Sequence, residues 1–111
     1  MELIQALEAP RPAEDQYNRS QSNKSITSST YTVSPFDYVL QADTSAGNVT
    51  LTLPESKNDG WEVEIIKPSP MNRVIILPTG TDTLVGDTQV DVYDQWTALR
   101  FRAVSGGYVL I

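Results

Sequence analysis

From residue 31 to residue 111 the chain alternates apolar and polar side chains with a period of two, in short runs that turn residues interrupt. The clearest run is NVTLTLP (48–54), with Val49, Leu51 and Leu53 on one face and Asn48, Thr50 and Thr52 on the other. A period of two is the spacing of a half-buried strand, since successive side chains point to opposite faces. TYTV (30–33) and DYVLQA (37–42), split by Ser34 and Pro35, are further strand candidates, as are WEVEIIK (61–67), 83–85 and 88–92. WTALRFRAV (96–104) places Leu99, Phe101 and Ala103 inward and Arg100 and Arg102 outward. RVIILP (73–78) and YVLI (108–111) are apolar on both faces, which predicts strands covered on both sides, with Ile111 packed. Gly86 and Asp87 are expected to form a tight turn.

About eight or nine short strands with turn signals every 8 to 12 residues are the pattern of an all-β fold. The expected body is a small antiparallel β-sandwich or barrel-like domain spanning 31–111, preceded by an extended N-terminal arm and linker over 1–30. No heptad stalk or β-helix repeat is legible. The arm's only large apolar side chains are Met1, Leu3, Ile4, Leu7, Tyr17 and Ile26, and its stretch 13–30 is otherwise polar apart from Ala13. Such a stretch buries too little apolar surface to offset its ordering entropy. Leu3, Ile4 and Leu7 sit at helical spacing until Pro10 and Pro12 stop any helix. They are either a frayed terminus or a docking peptide that orders on a partner.

The chain of 111 residues contains no cysteine and no histidine. Disulfides, thiolate metal sites, the Ser-His-Asp triad and the commonest general base are thereby excluded. A net charge of −6 is the wrong sign for a phosphate-binding surface, so no nucleic-acid partner is expected. No run reaches the length of a membrane span, and 1–10 make a poor signal peptide, so no membrane partner is expected and synthesis is placed in the cytoplasm. The carboxylates Asp82, Asp87, Asp91, Asp94, Glu62 and Glu64 are the strongest remaining catalytic candidates, but turns and polar strand faces are the ordinary places for solvated acids. Their spacing matches no calcium loop. The expectation is no enzyme, no catalytic residue, no metal and no cofactor. Trp61, aligned with Val63 and Ile65, reads as core. Trp96, in line with Arg100 and Arg102, has the composition of a trimer interface or ligand face, with a bare edge-covering Trp as the bland reading. Arg100 and Arg102 are expected to face Glu62 and Glu64, across neighbouring strands or across a subunit boundary.

The order of these motifs resembles a small β-domain of bacteriophage appendages: capsid head-fibre and decoration proteins, tail fibres and tailspikes. It is carried by Tyr31-Thr-Val, Asp37-Tyr38-Val-Leu, Asp43-Thr44, VTLTLP (49–54), Ile65-Ile66-Lys67, NRVIILPTGTDTLVG (72–86) and the closing GYVLI (107–111). The similarity covers 31–111 and leaves the arm out. Such domains often carry Ile-Asp-Gly where Leu84, Val85 and Gly86 stand, and a Trp where Tyr108 stands. The resemblance implies a homotrimeric structural protein of the virion. The arm then docks on the major capsid protein and the body forms a decorating knob. The alternative is a receptor- or carbohydrate-binding module of a tail or baseplate, with a glycan as the possible ligand. The short linker and the missing stalk or β-helix favour decoration.

Overall fold

A computed structural model describes residues 23–111. Ten strands run in the order β1 (Asn23–Ile26), β2 (Thr30–Thr32), β3 (Val39–Ala42), β4 (Val49–Thr52), β5 (Glu62–Lys67), β6 (Val74–Leu77), β7 (Thr83–Leu84), β8 (Val90–Val92), β9 (Thr97–Val104) and β10 (Gly107–Leu110). They form a six-stranded sheet, β1-β3-β5-β9-β10-β7, and a four-stranded sheet, β2-β4-β6-β8.

The all-β expectation matches the body, but its arrangement as an antiparallel sandwich or barrel is overturned. The chain is a β-solenoid of stacked coils. β1, β3 and β5 pair in parallel in the large sheet, and β2, β4 and β6 pair in parallel in the small one. Each coil thus crosses from one sheet to the other and returns one strand spacing higher. Only the last part reverses: β8 runs antiparallel to β6, β9 to β5 and β10 to β9. Alternation alone cannot separate the two architectures, because a hairpin strand and a solenoid rung share the period of two. The coils also differ in length, which hides the repeat. Paired residues are 16 positions apart between β1 and β3 (Asn23 and Val39) but 25 apart between β3 and β5 (Val39 and Glu64).

Stacking puts like side chains over one another inside. Val49 stands over Val74, Leu51 over Ile76 and Leu40 over Ile65, all buried between the sheets. Phe101, Ala103 and Tyr108 from the reversed strands close the same core. Each large aliphatic or aromatic side chain so buried contributes about 1.5–3 kcal/mol.

Several local expectations change. β1 lies within 1–30, the stretch read as arm and linker, and pairs with β3 through all four of its residues. Ile75 and Leu77 of β6 are half-exposed rather than covered on both sides. Val109, Leu110 and Ile111 are exposed, so the chain does not end in a packed strand. The tight turn falls one residue early, on Val85 and Gly86, where Leu84 and Asp87 exchange both backbone hydrogen bonds. It is no β7–β8 hairpin, since those strands belong to different sheets and the chain crosses between them.

Candidate functional site

The outer face of the large sheet is assembled by alternation in two strands. Val63, Ile65 and Lys67 of β5 point inward, which turns Glu62, Glu64 and Ile66 outward. The antiparallel register of β9 sets Arg102 opposite Glu62, Arg100 opposite Glu64 and Ala98 opposite Ile66. Arg102 donates from Nε and Nη2 to Glu62 Oε2 at 3.0 and 2.8 Å, and Arg100 Nη2 reaches Glu64 Oε1 at 3.4 Å. Both pairs therefore lie within one chain, across neighbouring strands. Val39 stands beside Glu64 on β3 and Val109 beside Arg102 on β10, so the charges are flanked by apolar groups. Trp96 sits at the entrance to β9, 69% exposed, its backbone held in the left-handed region (φ 64°) while its N–H donates to Lys67 O.

A second feature is a small cavity of about 110 Å³ at the end of the large sheet where β5 begins. Pro35, Pro54, Trp61 and Tyr108 wall it, and Glu55, Lys57 and Asp59 form its rim. The rim loop 55–60 is pinned to the body. Ser56 N–H donates to Asp82 Oδ2, its hydroxyl donates to Val104 O, and Gly60 N–H donates to Ala103 O. The rings of Trp61 and Tyr108 meet edge to face at 6.1 Å. Tyr108 donates its phenolic hydrogen to Pro54 O at 2.7 Å. Burial first, and then the negative charges of Asp82 and Asp59, push this phenol up to about 12. Trp61, read as core, is half-buried against the core, and its indole Nε1–H is buried with no acceptor among the described residues. A wider, more open groove of about 300 Å³ runs past Ser25, Thr27, Gln41, Asp43, Pro68 and Ser69.

The acidic candidates do not converge. Asp91 pairs with Arg73 at 2.9 Å, Asp82 holds the Ser56 amide, and Glu62 and Glu64 are taken by the arginines. Among the described residues no three carboxylates gather where they could hold a metal ion. Leu3, Ile4 and Leu7 lie outside the described residues.

Two buried ionisable groups, Asp37 and Lys67, escaped the sequence reading. Asp37 accepts from Tyr31 Oη at 2.7 Å and from Ser34 N–H at 2.9 Å, while Lys24 stands 3.5 Å away and donates to Tyr31 Oη. Desolvation raises the Tyr31 phenol above its ordinary value, and that hydroxyl's bond with Lys24 raises the ammonium. The network ties β1 to the β2–β3 turn; the Ser-Pro-Phe-Asp stretch was its one sequence signal. Lys67, at the inward end of β5, is fully buried with its ammonium donating to Ser69 O at 2.6 Å. Nothing in the alternation pattern marks it except its place in step with Val63 and Ile65.

No protein-family model and no curated protein compared with the chain matches it.

Proposed function

We propose that the chain is a non-catalytic structural subunit of a virion surface, a homotrimeric capsid decoration or head-fibre protein. In this reading the N-terminal arm, with Leu3, Ile4 and Leu7, is the anchor, and the solenoid body is the projecting knob. The observation that carries the assembly part is the outer face of the large sheet. Two acid–base pairs, flanked by Val39, Ile66, Ala98 and Val109, make a face of mixed charge and apolar area, the composition of a subunit contact. Charges of both signs side by side let copies of one chain meet in a defined register. The virion part rests on the motif order over 31–111. One arm would bind weakly because ordering it costs part of what its apolar side chains contribute. Three arms on one trimer act together through effective concentration.

Light scattering on the purified chain tests the assembly reading. A trimer mass at micromolar concentration that Glu64→Arg shifts towards monomer supports it, and a monomer in the parent overturns it. Deleting 1–12 is then expected to abolish binding to capsids while the trimer persists.

The receptor- or glycan-binding reading gains from two observations. Stacked coils remove the missing-β-helix ground for preferring decoration, and Trp96 offers an exposed ring of the kind that stacks on sugars. A glycan that binds the parent and loses at least tenfold affinity in Trp96→Ala would favour that reading.

A further inference from the structure

We infer that the groove past Ser25, Thr27, Gln41, Asp43, Pro68 and Ser69, with Trp96 beside it, is a saccharide subsite that takes neutral or amine-bearing sugars and excludes acidic ones. It rests on the glycan-binding reading above and gives that reading a place and a ligand class.

The solenoid builds this groove from its register. Ser25 of β1 is paired with Gln41 of β3, and Gln41 with Ile66 of β5. The ladder continues past the strand ends, since Asp43 N–H donates to Ile26 O. Thr27, Asp43 and Pro68 therefore make the next outward row. Rows two residues apart lie about 7 Å from each other and neighbouring strands about 4.8 Å, so the polar groups sit on a fixed grid. At about 300 Å³ the groove is at the small end of ligand sites, with room for a short saccharide.

The walls select the ligand. Most small-molecule sites are largely apolar, whereas this one presents hydroxyls, one amide and one carboxylate, a lining that suits a ligand rich in hydroxyls. Gln41 Nε2 donates to Asn23 Oδ1 at 3.1 Å, which orients the amide and leaves its oxygen and second hydrogen for a ligand. Asp43 Oδ1 accepts from the Ser45 N–H at 3.0 Å, and Oδ2 has capacity for a sugar hydroxyl. Bonds from Ser45, backbone N–H first and hydroxyl second, hold this carboxyl below its ordinary value, so it is charged at neutral pH. On a chain of net charge −6, that carboxylate repels acidic sugars and accepts neutral or amine-bearing ones.

Trp96 supplies the apolar part. Lys67 is paired with Thr97, Trp96 N–H donates to Lys67 O, and Gln95 Nε2 donates to Pro68 O, so Trp96 stands beside the Pro68 wall. It is 69% exposed on a backbone at φ 64°, a conformation that bulky residues rarely adopt. The bond to Lys67 needs only a backbone N–H, which glycine or asparagine would provide with less strain. An exposed ring kept on a strained backbone beside a polar groove is a combination that serves sugar binding. The ring covers the C–H face of a sugar while the groove takes its hydroxyls.

The full chain is screened on an array of neutral, amine-bearing and acidic oligosaccharides, and the tightest binder is titrated by calorimetry and by amide NMR. The expected binder is neutral or amine-bearing and moves the resonances of Ser25, Thr27, Gln41, Asp43 and Ser69. Gln41→Ala and Trp96→Ala should each weaken it at least tenfold, while Trp96→Phe, which keeps a ring, stays within about threefold of the parent. The resonance map needs no variant, so it decides the site even if one substitution fails to fold. A sugar that moves resonances elsewhere, or binds Gln41→Ala as tightly as the parent, overturns this site and leaves the glycan reading in force. Binding confined to acidic sugars overturns the ligand class. Binding by no sugar on the array overturns the site and the glycan reading together.

Discussion

A Cβ added to Gly107 would stand 2.0 Å from the carbonyl oxygen of Thr83 and 2.7 Å from its nitrogen. β7 and β10 pair in parallel here, and the Thr83 N–H also donates to Gly106 O. Gly107 has φ 152°, a conformation side chains avoid, so both the space and the backbone require glycine. Overpacking and strain add, and Gly107→Ala should destabilise by about 3 kcal/mol or more, measured by urea denaturation. A loss below about 1 kcal/mol would mean that β7 does not hold this place.

Val85 occupies the first central position of a two-residue turn with φ 53°, followed by Gly86 at φ 84°. A β-branched residue is poorly suited to that region, whereas Asn accepts it. Val85 is half-exposed, and its N–H, donated to Tyr108 O, is kept by any non-proline residue. Val85→Asn should therefore stabilise by about 1 kcal/mol, seen as a rise in Tm.

Alkali should unfold the protein through Tyr108. Its phenol is raised from the ordinary value of 10.0 to about 12 in the fold. A raised value means the folded state holds the proton more tightly than the unfolded chain. The stabilisation is complete below pH 10 and is lost as pH climbs through 12. Tyr31, raised by desolvation, acts in the same direction. Equilibrium unfolding between pH 9 and 12 should show a falling stability whose slope is shallower in Tyr108→Phe. An equal slope in that variant would remove Tyr108 as the cause.

Asp37 is 5% exposed and serves Tyr31 Oη and Ser34 N–H together. Asp37→Ala leaves both donors without their acceptor and should cost about 1–3 kcal/mol. Because Asp37 lies at the β2–β3 turn beside Lys24 of β1, amide exchange should accelerate in 23–33 before the rest of the body. Uniform acceleration throughout the body would show instead that the first coil does not open separately.

Most of the strands after residue 30 were legible. The faces of β4, β5 and β9 follow from alternation, and the Glu62–Arg102 and Glu64–Arg100 pairs follow from those faces once the two strands are neighbours. β1 was not legible, because NKSI buries only Ile26 and gains its place from the β3 backbone rather than from its own side chains. The cavity was not legible either. Pro35, Pro54, Trp61 and Tyr108 are spread over more than 70 positions and share no local pattern.

Alternation of apolar and polar residues determined by itself that the body is strand-built and, in β4, β5 and β9, which side chains face the core, since successive side chains of a strand point to opposite faces. Residue counts likewise settled that histidine and cysteine chemistry is absent. Whether Val49 faces Val74 in a parallel ladder or a hairpin partner in an antiparallel one was decided only by tertiary structure. The direction of pairing depends on where each connection returns the chain, and connections of 16 to 25 residues carry no periodic mark. The buried Lys67 and the left-handed Trp96 were decided at the same level, because the alternation that sets strand faces does not say what closes over a strand's end.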